Sequence, residues 1–153
     1  MDEQALFTRF WERESDTTRR VLSRIPEGST YRPDPKSRTA AEIAWQIVCE
    51  ERTIVEGLET GTLGWAGAPA PATMAELLEI YDAQRADVTA RWKALPAERW
   101  AGTVDLFGRR RSASEMAWSF FFDIIHHRGQ LTTYLRPMGS TVPQVYGPTA
   151  DEP

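Results

Sequence analysis

The chain has 153 residues, 41% hydrophobic and 26% charged, with a net charge of −4 and a pI near 5.3. That length suits one domain with its own core and is too short for two, and the acidic balance excludes a general nucleic-acid binder, which needs a basic face. Cys49 is the only cysteine, so an intramolecular disulfide and a zinc ribbon are both excluded.

The opening stretch, MDEQALFTRFWERESD, has neither the basic start nor the apolar centre of an export leader. No apolar run reaches the ~18 residues that a bilayer demands. The expectation is a cytoplasmic protein with no membrane partner. The first predicted helix runs from Glu3 to Ile25, with Leu6, Phe7, Phe10, Trp11, Val21, Leu22 and Ile25 at the three-and-four spacing of one face. Glu14 falls on that side as a half-exposed polar lining. IPEGSTYRPDPKS then breaks the helix.

Each of the next three helices opens on one signal. Thr39 to Glu42, Thr73 to Glu76 and Ser112 to Glu115 all fit the capping box, in which a hydroxyl and a carboxylate satisfy the first backbone N–H groups reciprocally. The second helix is predicted from Ala40 to Glu59, with Ile43, Ile47, Ile54 and Leu58 inward. Its successor is a Gly/Pro-rich connection carrying Trp65, placed either over a cavity mouth or against a partner. The third helix is predicted from Met74 to Leu95, with Leu77, Leu78, Tyr81, Val88, Trp92 and Leu95 inward. RWAGTVDLFGRRR reads as a short extended excursion around Gly108, and its Arg109 to Arg111 run as a solvated turn. The fourth helix is predicted from Ala113 to Arg136, stopping at Pro137 and Gly139. The Pro-rich tail, STVPQVYGPTADEP, should lie extended against the rest.

Four amphipathic helices of about 20 residues predict an all-α four-helix bundle of up-down type over residues 1–139, with residues 140–153 as the packed tail. The connections, of about 13 to 17 residues, exceed the usual 2 to 8 and leave room for a crossover or for function.

The fourth helix poses a problem. Met116, Phe120, Ile124, Leu131 and Leu135 form its expected inward stripe. His127 lies only about 20° from Phe120 on the helical wheel, and Asp123 about 40° from His127. Both polar side chains therefore point inward, where a carboxylate and an imidazole must be paired or bound. Gln46 and Glu50, one turn apart on the second helix, repeat the anomaly. Three readings are open: a divalent metal held with a third ligand from another helix, a catalytic pair in which Asp123 orients His127 as general base, and a satisfied core hydrogen bond.

The blocks DIIHHRGQLTTYLRPMG and VPQVYGPTADE, with AEIAWQIVCEE on the second helix, resemble the DinB/YfiT-like family of four-helix-bundle proteins. The resemblance covers nearly the whole chain. It implies a three-ligand divalent site, with zinc, nickel or manganese as candidates, and open positions for water or substrate. Matched residue by residue, the family's second-helix histidine falls on Gln46 and its fourth-helix pair on Asp123 and His127. An amide oxygen is a poorer ligand than imidazole and a carboxylate remains a good one, so the expectation is a weakened or vacant site, with Glu50 compensating by charge. The resemblance also implies a metal-dependent transferase acting on a low-molecular-weight thiol. The alternative is a non-catalytic ligand-binding or stress-response bundle.

Around that site, Cys49 reads as a buried thiol or a cavity neighbour, and Arg128 as half of a structural ion pair or a substrate contact. Gly129 reads as a point of close helix approach, and Gln130 as a side chain bonded to backbone. A homodimer is expected from the frequency of two-fold pairs.

Overall fold

The structure is a computed structural model that describes residues 2–65 and 67–153. Four long helices dominate it: α1 (Glu3–Leu22), α2 (Ala40–Thr60), α3 (Met74–Ala94) and α5 (Ala113–Leu135), with a four-residue α4 (Ala97–Trp100) between the last two. Three short strands, β1 (Thr62–Leu63), β2 (Thr103–Leu106) and β3 (Arg109–Ser112), form a small sheet, and a 3-10 turn (Arg136–Met138) follows α5.

The helix starts lie where the capping chemistry puts them. Thr39 accepts from the Glu42 N–H at 3.3 Å while Glu42 Oε2 accepts from the Thr39 N–H at 2.7 Å. Thr73 and Glu76 make the same reciprocal pair. Ser112 makes only its own half, accepting from the Glu115 N–H at 3.4 Å, because it is also the last residue of β3, in register with Thr103. At the other ends, α1 stops at Leu22, and Ile25 reaches the core from the following turn. α2 stops at Gly61, whose φ of 85° is a left-handed conformation that glycine adopts without strain.

The bundle is not a simple up-down ring. α1 packs on α3 and α5, and so does α2, which leaves α1 diagonal to α2 and α3 diagonal to α5. The long connections at 26–39 and 95–112 carry the chain across those diagonals. β2 and β3 form the hairpin expected around Gly108, with Phe107 and Gly108 both at positive φ (52° and 77°), as a two-residue hairpin turn requires. β1 adds in parallel to β2, a long-range pairing that the sequence pattern did not indicate. It packs against α2 at Gly57, where a Cβ would lie 2.2 Å from the Leu63 side chain.

At one end of the core, Phe7 is the hub of an aromatic cluster, with ring centroids 4.8 Å from Trp92 and 5.1 Å from both Trp100 and Trp118. On α5 the core arc is turned from the expected one. Phe121, Ala117 and Arg128 are buried, whereas Met116 and Phe120 are half-buried. The tail is tied down by Arg136 on Asp151 at 3.0 Å, by Arg24 on Glu152 and by Tyr146. Among the described residues no helix is long and apolar enough to cross a membrane.

Candidate metal centre

α2 and α5 face one another along their length, and their polar residues meet. Gln46 and Glu50 project from α2; Asp123 and His127 project from α5. One donor atom each of Glu50, Asp123 and His127 lies within 4.8 Å of the other two. His127 Nε2 is 3.5 Å from Asp123 Oδ2 and 3.8 Å from Glu50 Oε1. Gln46 Nε2 sits between them, 2.6 Å from Glu50 Oε1 and 2.7 Å from His127 Nε2. Glu50 Oε2 and Gln46 Oε1 are buried with no hydrogen-bond partner. Burial pushes the Glu50 carboxyl up to about 7; the Gln46 hydrogen bond pulls it back, and the nearby Asp123 charge raises it further.

This cluster borders a cavity of about 750 Å³. Gln46, Glu50 and Asp123 line it, together with Trp45, Trp65, Phe120, Cys49 and Arg38. Trp45 Nε1 donates to the Ala68 carbonyl at 2.8 Å, which holds the Gly/Pro-rich connection against α2 as one wall. Cys49 is half-buried, and burial pushes its thiol up while the Ala68 backbone pulls it back.

Several sequence expectations change here. Asp123 is not a core residue: its side chain is 53% exposed, at the cavity wall. The wheel misplaced it because Phe120, Phe121 and Phe122 make α5 apolar nearly all round, so the pattern does not fix which arc faces inward. Gln46 presents its amide nitrogen to His127, and Glu50 is the third group of the acid-imidazole cluster. Arg128 does not line the cavity. It is 1% exposed and pairs with Glu14, itself 5% exposed and not half-exposed, at 2.6 Å. Gln130 bonds two imidazoles. Gly129 faces open space, so no close approach depends on it. The i, i+4 spacing of Gln46 and Glu50 was the available signal for Glu50.

The chain matches the DinB family description along its whole length, residues 1–153. It belongs to the DinB family. Within reach of that assignment, it is 26% identical over 149 residues to the uncharacterised protein YrdA of Bacillus subtilis (strain 168), spanning 95% of this chain and 89% of that protein. Two solved DinB-like structures share its fold. One, from Bacillus cereus ATCC 10987, is 24% identical with a TM-score of 0.75, over 92% of this chain and 95% of that one. The other, YjoA of Bacillus subtilis, is 20% identical with a TM-score of 0.74, over 92% and 96%.

The residues of this DinB protein fit a divalent cation. Two carboxylates and one imidazole are the donor types of a borderline-to-hard metal. Glu50 Oε2, buried and without a hydrogen-bond partner, is the acceptor that a cation would satisfy.

Proposed function

We propose that this DinB-family protein is a metal-dependent small-molecule enzyme of the thiol S-transferase kind, with Glu50, Asp123 and His127 as the cation ligands. One observation supports the reading above the rest: three donor groups from two helices converge beside a cavity with aromatic walls. A bound divalent cation supplies a Lewis acid that lowers the pKa of a thiol and presents it as thiolate. The chain supplies the remainder. Glu50 and Asp123 bring the negative charge that offsets the cation, and His127 brings a neutral lone pair. Trp45, Trp65 and Phe120 contact the apolar body of the substrate and keep water from it. The cavity volume of about 750 Å³ falls in the range of small-molecule sites.

Protein purified without chelator, analysed for all transition metals, tests the first half. Stoichiometric metal, or a clear thermal shift on adding zinc, nickel or manganese, is the expected result. The second half is tested by consumption of free cysteine in the presence of a chloronitrobenzene electrophile. The activity should require metal and vanish in His127→Ala. Protein that carries only traces of metal and shows no shift ends the metal reading.

A second reading has an observation of its own. Gln46 already directs its amide nitrogen at both Glu50 and His127, so the inner wall is hydrogen-bonded without a cation. That arrangement suits a non-catalytic ligand-binding bundle. A small-molecule thermal shift indifferent to metal separates it from the enzyme.

A further inference from the structure

The cavity has two unlike ends, with the acid–imidazole cluster between them. Gln46 meets His127, and Glu50, one turn further along α2, meets Asp123, one turn earlier on α5. The two helices therefore run antiparallel along the cavity. Arg38 and Glu42 line it on the α2 side ahead of Gln46, and Met116 and Phe120 line it on the α5 side ahead of Asp123. Antiparallel packing puts these two pairs at opposite ends, one charged and one apolar.

Arg38 is the one cationic side chain among the described residues that line the cavity. It is exposed, it directly precedes the Thr39 cap of α2, and its guanidinium donates to no described residue. Glu42, the first acid on α2, is committed elsewhere. Its Oε2 accepts from the Thr39 N–H at 2.7 Å and from Thr39 Oγ1 at 2.9 Å. Those bonds, ahead of the nearby Arg32 and Arg38 charges, hold its carboxyl below the usual value. The N–H donors of Arg38 are thus left to solvent or to a ligand in the cavity.

We infer that Arg38 is the specificity-determining residue of this cavity: it binds a carboxylate at the far end of the thiol substrate, while Met116 and Phe120 take the apolar body of the electrophile on the other side of the cluster. The assignment of the two ends to two reactants rests on the thiol transfer proposed above; the capture of an anion by Arg38 does not. Ala40 to Glu50 covers about 15 Å of helix axis. A longer thiol, with its carboxylate several bonds from sulfur, spans that distance better than cysteine does. Glu50 and Asp123 repel a carboxylate placed at the centre, so the charges also set which way round such a thiol lies. A guanidinium holds a carboxylate through two parallel N–H···O bonds, and at an exposed site the pair is worth a modest factor in affinity.

The test uses a ligand that spans both ends and needs neither metal nor turnover: the dinitrophenyl thioether of mercaptohexanoate, compared with its methyl ester. Calorimetric titration of the full chain should show the acid bound about five- to tenfold more tightly than the ester. Arg38→Met should erase that ratio. Arg38→Lys should keep part of it, because lysine retains the charge without the planar fork. Phe120→Ala should weaken acid and ester equally, and if it leaves both unchanged the apolar end is overturned. Equal binding of acid and ester by the wild type, a ratio that survives Arg38→Met, or no measurable binding of either overturns the role of Arg38. If the ratio depends on Arg38 but the protein takes up no metal and consumes no thiol, the transferase reading falls and the anion-binding role stands. If thiol consumption is metal-dependent and the ratio is unmoved in Arg38→Met, the role of Arg38 alone falls.

Discussion

Two polar clusters are built from adjacent residues of α5, and they end in opposite states. Arg128 turns toward α1, where every group finds a partner. Its guanidinium donates to Glu14 Oε2 at 2.6 Å, to the Glu14 carbonyl at 3.1 Å, to Thr18 Oγ1 at 3.3 Å and to Tyr146 Oη at 2.5 Å. Tyr146 closes the ring by donating to Glu14 Oε2 at 2.8 Å. His127, one residue earlier, turns toward α2 and a cavity, where Glu50 and Gln46 each keep an unpaired acceptor. The closed cluster spends its hydrogen-bonding capacity on holding α1, α5 and the tail together. The open one retains capacity for something that is not part of the chain. A buried polar group is ordinarily satisfied, so the unpartnered Glu50 and Gln46 oxygens beside the cavity are the acceptors that a bound cation or ligand would satisfy under the proposed function.

The largest effect should come from breaking the closed cluster. Arg128→Met strands the Glu14 carboxylate in the interior, and urea unfolding should show a loss of about 3–5 kcal/mol. If the loss is under about 1 kcal/mol, Glu14 is relaxing to solvent and the cluster is not closed.

A third buried carboxyl sharpens the contrast through pH. Glu51 accepts from Tyr81 Oη at 2.9 Å through one oxygen, and its other oxygen has no partner. It has no guanidinium hydrogen-bond partner and borders only a small cavity of about 10 Å³, and burial pushes it from 4.5 up to about 8, against the pull of the Tyr81 hydrogen bond. A carboxyl whose folded value lies above its unfolded one stabilises the fold while it is protonated, and that contribution is lost as pH rises. The stability of the wild type relative to Glu51→Gln should therefore be greatest below about pH 4.5 and decline steadily up to about pH 8. Parallel melting curves across that window would show the difference, and a flat difference would mean that Glu51 is not buried as a neutral acid.

At the open cluster, Gln46→His replaces the amide with a second imidazole. Zinc affinity should rise by at least about tenfold, measured by competition with a chelating dye. No gain would place Gln46 outside the ligand sphere. Tyr146→Phe removes one hydroxyl from the closed cluster and should cost about 1 kcal/mol while leaving zinc affinity unchanged. Smallest of all on stability is Asp123→Asn. Its exposed side chain should shift unfolding by no more than about 0.5 kcal/mol, yet the same variant should weaken zinc binding. A residue that matters for the ligand and not for the fold is what the open cluster should contain.

The four long helices were legible in the sequence because their starts are written in local chemistry. Thr39, Thr73 and Ser112 each precede a glutamate by three residues, and each begins a helix within a residue of its expected position. The meeting of Gln46, Asp123 and His127 was implied by the family resemblance, whereas helical period alone put Asp123 in the core, and its side chain is 53% exposed. The parallel pairing of β1 with β2 was not legible, because a two-residue strand carries no period. Nor was the burial of Arg128. The structural ion pair read for Arg128 is borne out, but its partner was not legible, because Glu14 lies 114 positions away.

The sequence by itself determined the helices, their caps and which polar residues share the α2 and α5 faces, since all of these depend on neighbours within about one helical turn. Tertiary structure alone decided that Arg128 is enclosed and Asp123 exposed, and that Glu50 completes the acid-imidazole cluster while Gln46 bridges it. Those outcomes depend on how far α5 rotates about its own axis as it packs. On a helix apolar nearly all round, that rotation is set by the partners that Arg128 and His127 find on α1 and α2.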